Sequence, residues 1–146
     1  MTSGRGREKG AAAVEMAIVS MFLLVLLLGI VDIGRAITTN ISLRDAVQEG
    51  AMYGAFTGVV TTSDIEDRIR ASVSEPDLST ATISVYCETD PRDLKDGTRV
   101  RVDMVYDLDL ITPIVGPALG GTITLQPSAE ADRFHDSCPV GFLPMP

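Results

Sequence analysis

At 146 residues and a net charge of −8, the chain has room for one modest domain, and so acidic a balance argues against nucleic acid as a partner. One His, two Cys, no Trp and few aromatic residues are poor material for a metal cluster or a base-stacking platform. The charge is unevenly spread: the first ten residues hold three basic and one acidic side chain, leaving nine basic against nineteen acidic residues in the rest, a net of −10.

Residues 10–33 read GAAAVEMAIVSMFLLVLLLGIVDI. Residues 16–31 carry no charge, and with the Ala-rich lead-in at residues 11–14 the segment reaches the ~20 apolar residues that a bilayer-spanning helix needs. Arg5, Arg7 and Lys9 precede it against a single Glu8, while Asp32 and Arg35 balance at its far end. The positive-inside bias therefore predicts a single pass through the cytoplasmic membrane, with residues 1–10 as a cytoplasmic leader, residues 11–33 across the bilayer and the C-terminus outside. A secretory signal would want a shorter apolar core and a small-x-small cleavage site, and GIVDIGRA offers no A-x-A.

Two details set this stretch apart from a generic anchor. Glu15 lies in an otherwise apolar run, where an unpaired charge costs several kcal/mol. At Gly10 a short basic leader, MTSGRGREKG, meets a run of helix formers, as at a processing boundary. A cut there places a new α-amino group on Ala11, and that amine and the Glu15 carboxylate can neutralise each other within one chain or between neighbours. The plainer alternative keeps Glu15 at headgroup depth, snorkelling to water, with Gly10 simply ending a leader.

Glycine, four small or apolar residues and then Glu, leading straight into a hydrophobic core, resembles the type IV prepilin cleavage motif. The resemblance implies a prepilin peptidase cutting after Gly10 on the cytoplasmic side, Ala11 as the mature terminus and Glu15 as the carboxylate that docks on a neighbouring subunit. Met16 departs from the pattern, where an aromatic more often follows the glutamate.

Past the apolar run, Ile33, Ile37, Ile41, Ala46, Gly50 and Gly54 recur at three- to five-residue intervals with no Pro before Pro76. This spacing predicts one helix from about Ala11 to about Phe56, roughly 70 Å long, whose residues 34–58 continue outside the membrane and must pack on something. Ala46, Gly50, Gly54 and Gly58 form a ridge of small residues. Because glycine costs ~1 kcal/mol in a helix interior, the ridge marks either close helix packing or a fraying end toward Gly58. The run LRDAVQEGAMYGAF resembles the distal helix of TadE-like proteins, the pseudopilins of tight-adherence (Tad or Flp) pili, and GIVDIGRAI resembles the exit of their membrane segment.

Residues 59–138 read as a small α+β ectodomain. Ser63 with Glu66 is expected to cap a short second helix with Ile65, Ile69 and Val73 on its apolar edge, stopped by Glu75 and Pro76. The period then becomes two: Ile83, Val85 and Cys87 in a first strand, the polar turn TDPRDLKDG, and Val100, Val102, Met104, Tyr106, Leu108 and Leu110 in a second, an antiparallel hairpin. The connector TPIVGPALGG leads to a third strand at residues 122–132, which Pro127 restricts to an edge or bulge, and GTITLQPSAEADR resembles the closing strand of TadE-like proteins. The expected fold is thus a long pilin-like helix, a short second helix and a three-stranded antiparallel sheet packed on the distal half of the long helix. Residues 139–146 form an irregular tail. Cys87 and Cys138 both fall on the outer side, where a disulfide closing about 50 residues is worth roughly 3 to 4 kcal/mol; two free buried thiols are the alternative.

No catalytic constellation stands out. His135, Asp136 and Cys138 sit in a Pro-rich tail, and Asp64, Glu66 and Asp67 are first-turn acids of a helix before they are a cation site. No catalytic residue, metal or cofactor is expected. The TadE resemblance implies a minor pilin or pseudopilin of Tad (Flp) pilus biogenesis and surface adhesion. Its partners would be the prepilin peptidase, other pilins and pseudopilins, the Tad assembly platform and the lipid bilayer. The competing reading is an uncleaved single-pass protein whose ectodomain binds an envelope partner or ligand.

Overall fold

The computed structural model describes residues 4–58, 60–89, 98–112, 115–118, 120–133, 138 and 141–144. The expected turn at residues 90–97, His135 and Asp136 lie outside them.

Helix α1 is Gly4–Phe56, an unbroken helix that starts upstream of the expected Ala11 and ends where the periodicity predicts. The Thr57 N–H closes the last turn on the Tyr53 carbonyl at 3.1 Å, so Gly58 lies beyond the helix and is not part of its packing ridge. Helix α2, Thr62–Ser72, is capped by Thr61 and not by the expected Ser63. The Asp64 N–H donates to the Thr61 hydroxyl at 3.3 Å, and the Thr61 N–H donates back to the Asp64 carboxylate at 2.8 Å, a reciprocal box that satisfies two orphan donors. The hydrogen bonds from the Thr61 hydroxyl and N–H hold the Asp64 carboxyl below the usual carboxylate range.

Strands β1 (Thr82–Thr89) and β2 (Thr98–Asp109) pair antiparallel with Cys87 opposite Val100 and Val85 opposite Val102. Helix α3 is the single turn Val115–Ala118. The expected third strand is two: β3 (Thr122–Leu125) and β4 (Ser128–Arg133), separated at Gln126 and Pro127. Both flank β2 on the side away from β1, and β4 pairs antiparallel with Ala129 opposite Val102 and Ala131 opposite Val100. Pro127 has no N–H to give a ladder, but its carbonyl accepts from the Met104 N–H at 3.0 Å, so the break costs little pairing.

Two compact units result. One is the chain through Arg35 together with Asp109–Thr122; the other is Ala36–Leu108 with Ile123–Pro146. In the second, period two points Val85, Cys87, Val100, Val102 and Met104 inward, onto Leu43, Ala46, Val47 and Ala51 of α1 and Ile65 and Ile69 of α2. Each such side chain taken fully out of water contributes about 1.5–3 kcal/mol. The opposite sheet face carries charges that neutralise one another along and across strands: Arg101 lies 2.8 Å from Asp103 of its own strand and 3.8 Å from Glu130, and Arg99 lies 3.4 Å from Asp132.

Cys87 and Cys138 form a disulfide. Beyond it the tail is not wholly irregular: the Cys87 N–H donates to the Leu143 carbonyl at 3.0 Å and the Leu143 N–H to the Val85 carbonyl at 3.1 Å, a short parallel bridge on the outer edge of β1.

Candidate membrane and assembly surface

From Ala11 to Val31, α1 is apolar on every side but for Glu15 and Ser20, and it buries almost nothing. Val14, Met16, Ile18, Phe22, Leu24, Leu27 and Ile30 are all more than half exposed. A helix apolar all round belongs either in a core or in lipid, and among the described residues this is the one helix long and apolar enough to cross a membrane. Ser20 is the polar interruption, and its hydroxyl donates to the Met16 carbonyl at 2.7 Å, so it carries no unmet donor into the apolar run.

The expected processing and docking residues lie at the start of this surface. Gly10, Ala11 and Glu15 are all exposed on α1, and a Cβ at Gly10 would meet nothing within 4 Å. Packing within the chain therefore gives no reason for glycine at position 10. Glu15 has no ion-pair partner among the described side chains.

At the far end of the apolar run, Asp32 is only 5 % exposed. Its carboxylate accepts the N–H groups of Ile111 at 3.1 Å and Thr112 at 2.9 Å, and also the Thr112 hydroxyl. Arg35, one turn on, lies 3.7 Å from Asp32 and donates to the Asp109 carbonyl at 3.4 Å. The connector after β2 is thus fastened to the helix by a carboxylate that sequence reading treated only as a flanking charge. Its partners lie 79 and 80 residues away, and nothing local marks it.

In the second unit the small-residue ridge has a definite occupant. A Cβ on Gly50 would meet Ile69 Cδ1 and Cγ1 at 2.5 Å, and one on Gly54 would meet Ile65 Cδ1 at 2.7 Å. Ala46 is buried in the same core. The ridge seats α2, and Arg68 on α2 reaches Glu49 on α1 at 2.6 Å. Gly58 serves through its backbone instead: Arg133, 3 % exposed, donates to the Gly54 carbonyl at 3.0 Å and the Gly58 carbonyl at 2.7 Å. A strand residue thereby caps the carbonyl end of α1, where orphan acceptors and the helix dipole both favour a cation. Arg133 follows Ala129 and Ala131 at inward parity, and that basic residue on a core face is the signal sequence reading passed over.

Among the described residues no three His, Cys, Asp or Glu side chains gather to hold a metal ion. No curated protein and no solved structure matches the chain. A family model does: TadE-like protein, over residues 10–52, which takes in Gly10, Glu15, the apolar run and the first half of the glycine ridge. Over those residues, less than a third of the chain, the sequence is similar to TadE-like proteins, and the matched segment holds the apolar run of α1.

Proposed function

We propose that this chain is a minor pilin or pseudopilin of a Tad (Flp) type IV-like pilus, a structural or assembly subunit with no catalytic role. A prepilin peptidase would cut it after Gly10. The observation that carries this reading is the bare apolar half of α1, with Gly10 and Glu15 at its start, inside the segment that matches the TadE-like family. An apolar helix that leaves most of its side chains exposed suits two environments in turn, lipid during storage and a bundle of other pilin helices during assembly. Heterologous contacts of that kind build open filaments.

In this reading the cut removes the basic leader and exposes the Ala11 amine. The Glu15 carboxylate of one subunit then answers the amine of the next, and neutralising both is what makes a charge inside the bundle tolerable. Mass spectrometry of the protein from cells carrying the peptidase tests it: a chain starting at Ala11 is expected, whereas a start at Met1 or Thr2 would overturn the reading in favour of an uncleaved tethered domain.

A further inference from the structure

We propose that the start of the connector between β2 and β3, Ile111 and Thr112, is a second membrane contact, an uncharged stretch that Asp32 holds against the helix so that Ile111 rests in the outer leaflet. The proposal goes beyond the pilin reading and rests only on α1 crossing the bilayer. Three observations carry it.

The first is depth. Asp32 is the first charge after the uncharged residues 16–31, and from Gly10 to Asp32 the helix rises about 33 Å, against a hydrocarbon core of about 30 Å. Whatever Asp32 binds sits at the outer boundary of the bilayer. It binds the backbone of Ile111 and Thr112.

The second is composition. Residues 110–121, LITPIVGPALGG, contain no charged side chain, whereas the connector between β1 and β2, residues 90–97, has five charges in eight residues. In an ectodomain so strongly acidic, an uncharged loop is the part of the surface that an apolar phase accepts. Ile111 is 62 % exposed, although its N–H is bound to Asp32. Ile30 and Ile33, on either side of Asp32 in α1, are exposed to the same degree.

The third is backbone satisfaction, the condition on any irregular chain that approaches hydrocarbon. Besides the two N–H groups held by Asp32, the Leu110 N–H donates to the Gly121 carbonyl at 3.0 Å and closes the ends of the loop. The Gly116 N–H donates to Thr112 at 2.9 Å and the Gly121 N–H to Gly116 at 2.6 Å. Gly120 and Gly121, at φ 91° and 86°, make the closing turn that other residues resist.

The chain has no tryptophan, so a single introduced one reports its own surroundings. Ile111→Trp, Phe22→Trp and Val105→Trp proteins are reconstituted as full chains in phosphatidylcholine vesicles. Their emission is then read with acyl-brominated phosphatidylcholine and with aqueous acrylamide as quenchers. Phe22→Trp lies in the membrane run, and Val105→Trp, at a position 41 % exposed on the outer sheet face, serves as the aqueous reference. The expected result is blue-shifted Ile111→Trp emission, lost in brominated lipid and protected from acrylamide relative to Val105→Trp. Lipid quenching of Phe22→Trp with acrylamide quenching of Ile111→Trp would overturn the loop contact and leave the spanning helix standing. An Ile111→Trp probe shielded from both quenchers would overturn lipid in favour of a protein neighbour. Absence of lipid quenching at Phe22→Trp would overturn both.

Discussion

Glycines at positions 29, 34, 50 and 54 all sit inside one helix, yet only two of them are required by what surrounds them. A methyl group at Gly50 would lie 2.5 Å from two atoms of Ile69, a side chain with no exposed surface to move into. At Gly34 the same methyl meets nothing. Gly50→Ala therefore gains about 1 kcal/mol of helix propensity but incurs an overpacking cost of about 1–3 kcal/mol, whereas Gly34→Ala has only the gain. Chemical denaturation followed through the ectodomain should show Gly50→Ala destabilised and Gly34→Ala unchanged or slightly more stable. Equal effects at both positions would mean that the ridge does not seat α2. Spacing alone exposed the ridge of Ala46, Gly50, Gly54 and Gly58, but neither that α2 seats on it nor that Gly58 lies past the end of the helix. Asp32 and Arg133 escaped because each is bound to backbone 75 or more residues away, and backbone partners leave no trace in side-chain pattern.

At the scale of an element, α2 shows how far a local signal reaches. Thr61 with Asp64 and Ser63 with Glu66 are overlapping cap patterns, and the sequence around them does not rank the two. Packing does, because Ile65 and Ile69 must face Gly54 and Gly50, and that fixes where the helix begins. The strands were easier to read. Alternation of apolar with polar residues gave the faces of β1 and β2 and very nearly their ends, whereas the last strand, expected unbroken with Pro127 at an edge or bulge, is two strands separated there. The cap also makes α2 acid-sensitive in a defined direction. Asp64 titrates lower in the folded chain than its unfolded value near ~3.9, so its contribution is complete above that value and disappears as pH falls through the lower folded one. Asp77, held down by the N–H and hydroxyl of Ser79, acts with the same sign. Asp64→Asn should therefore flatten part of the loss of stability on acidification, and Thr61→Ala should cost about 1 kcal/mol near neutral pH. Denaturation midpoints across the acid range check both. An acid limb of unchanged slope in Asp64→Asn would remove Asp64 from the account.

At the scale of the whole chain, the disulfide and the glutamate separate what holds the ectodomain together from what the protein is for. Cys87 and Cys138 are 51 residues apart, so in the chain-entropy account their bond restricts the unfolded chain by about 4 kcal/mol. Replacing both with serine should lower ectodomain stability by that order and speed hydrogen exchange at the Leu143 N–H, which pairs with β1 just beyond the bond. Glu15 should behave in the opposite way. It is exposed on α1 and supports no contact among the described residues, so Glu15→Gln should leave denaturation midpoints and membrane insertion as they are. Its effect should appear only when subunits meet. In the proposed pilin, Glu15→Gln is expected to abolish surface pili while the protein remains in the membrane at normal abundance, because an uncharged side chain would no longer answer the Ala11 amine of a neighbour. Pili at normal numbers in that strain, with the altered protein as the sole copy, would return the chain to the class of tethered domains. Normal abundance distinguishes this outcome from the cysteine variant, in which any loss of pili should follow loss of folded protein.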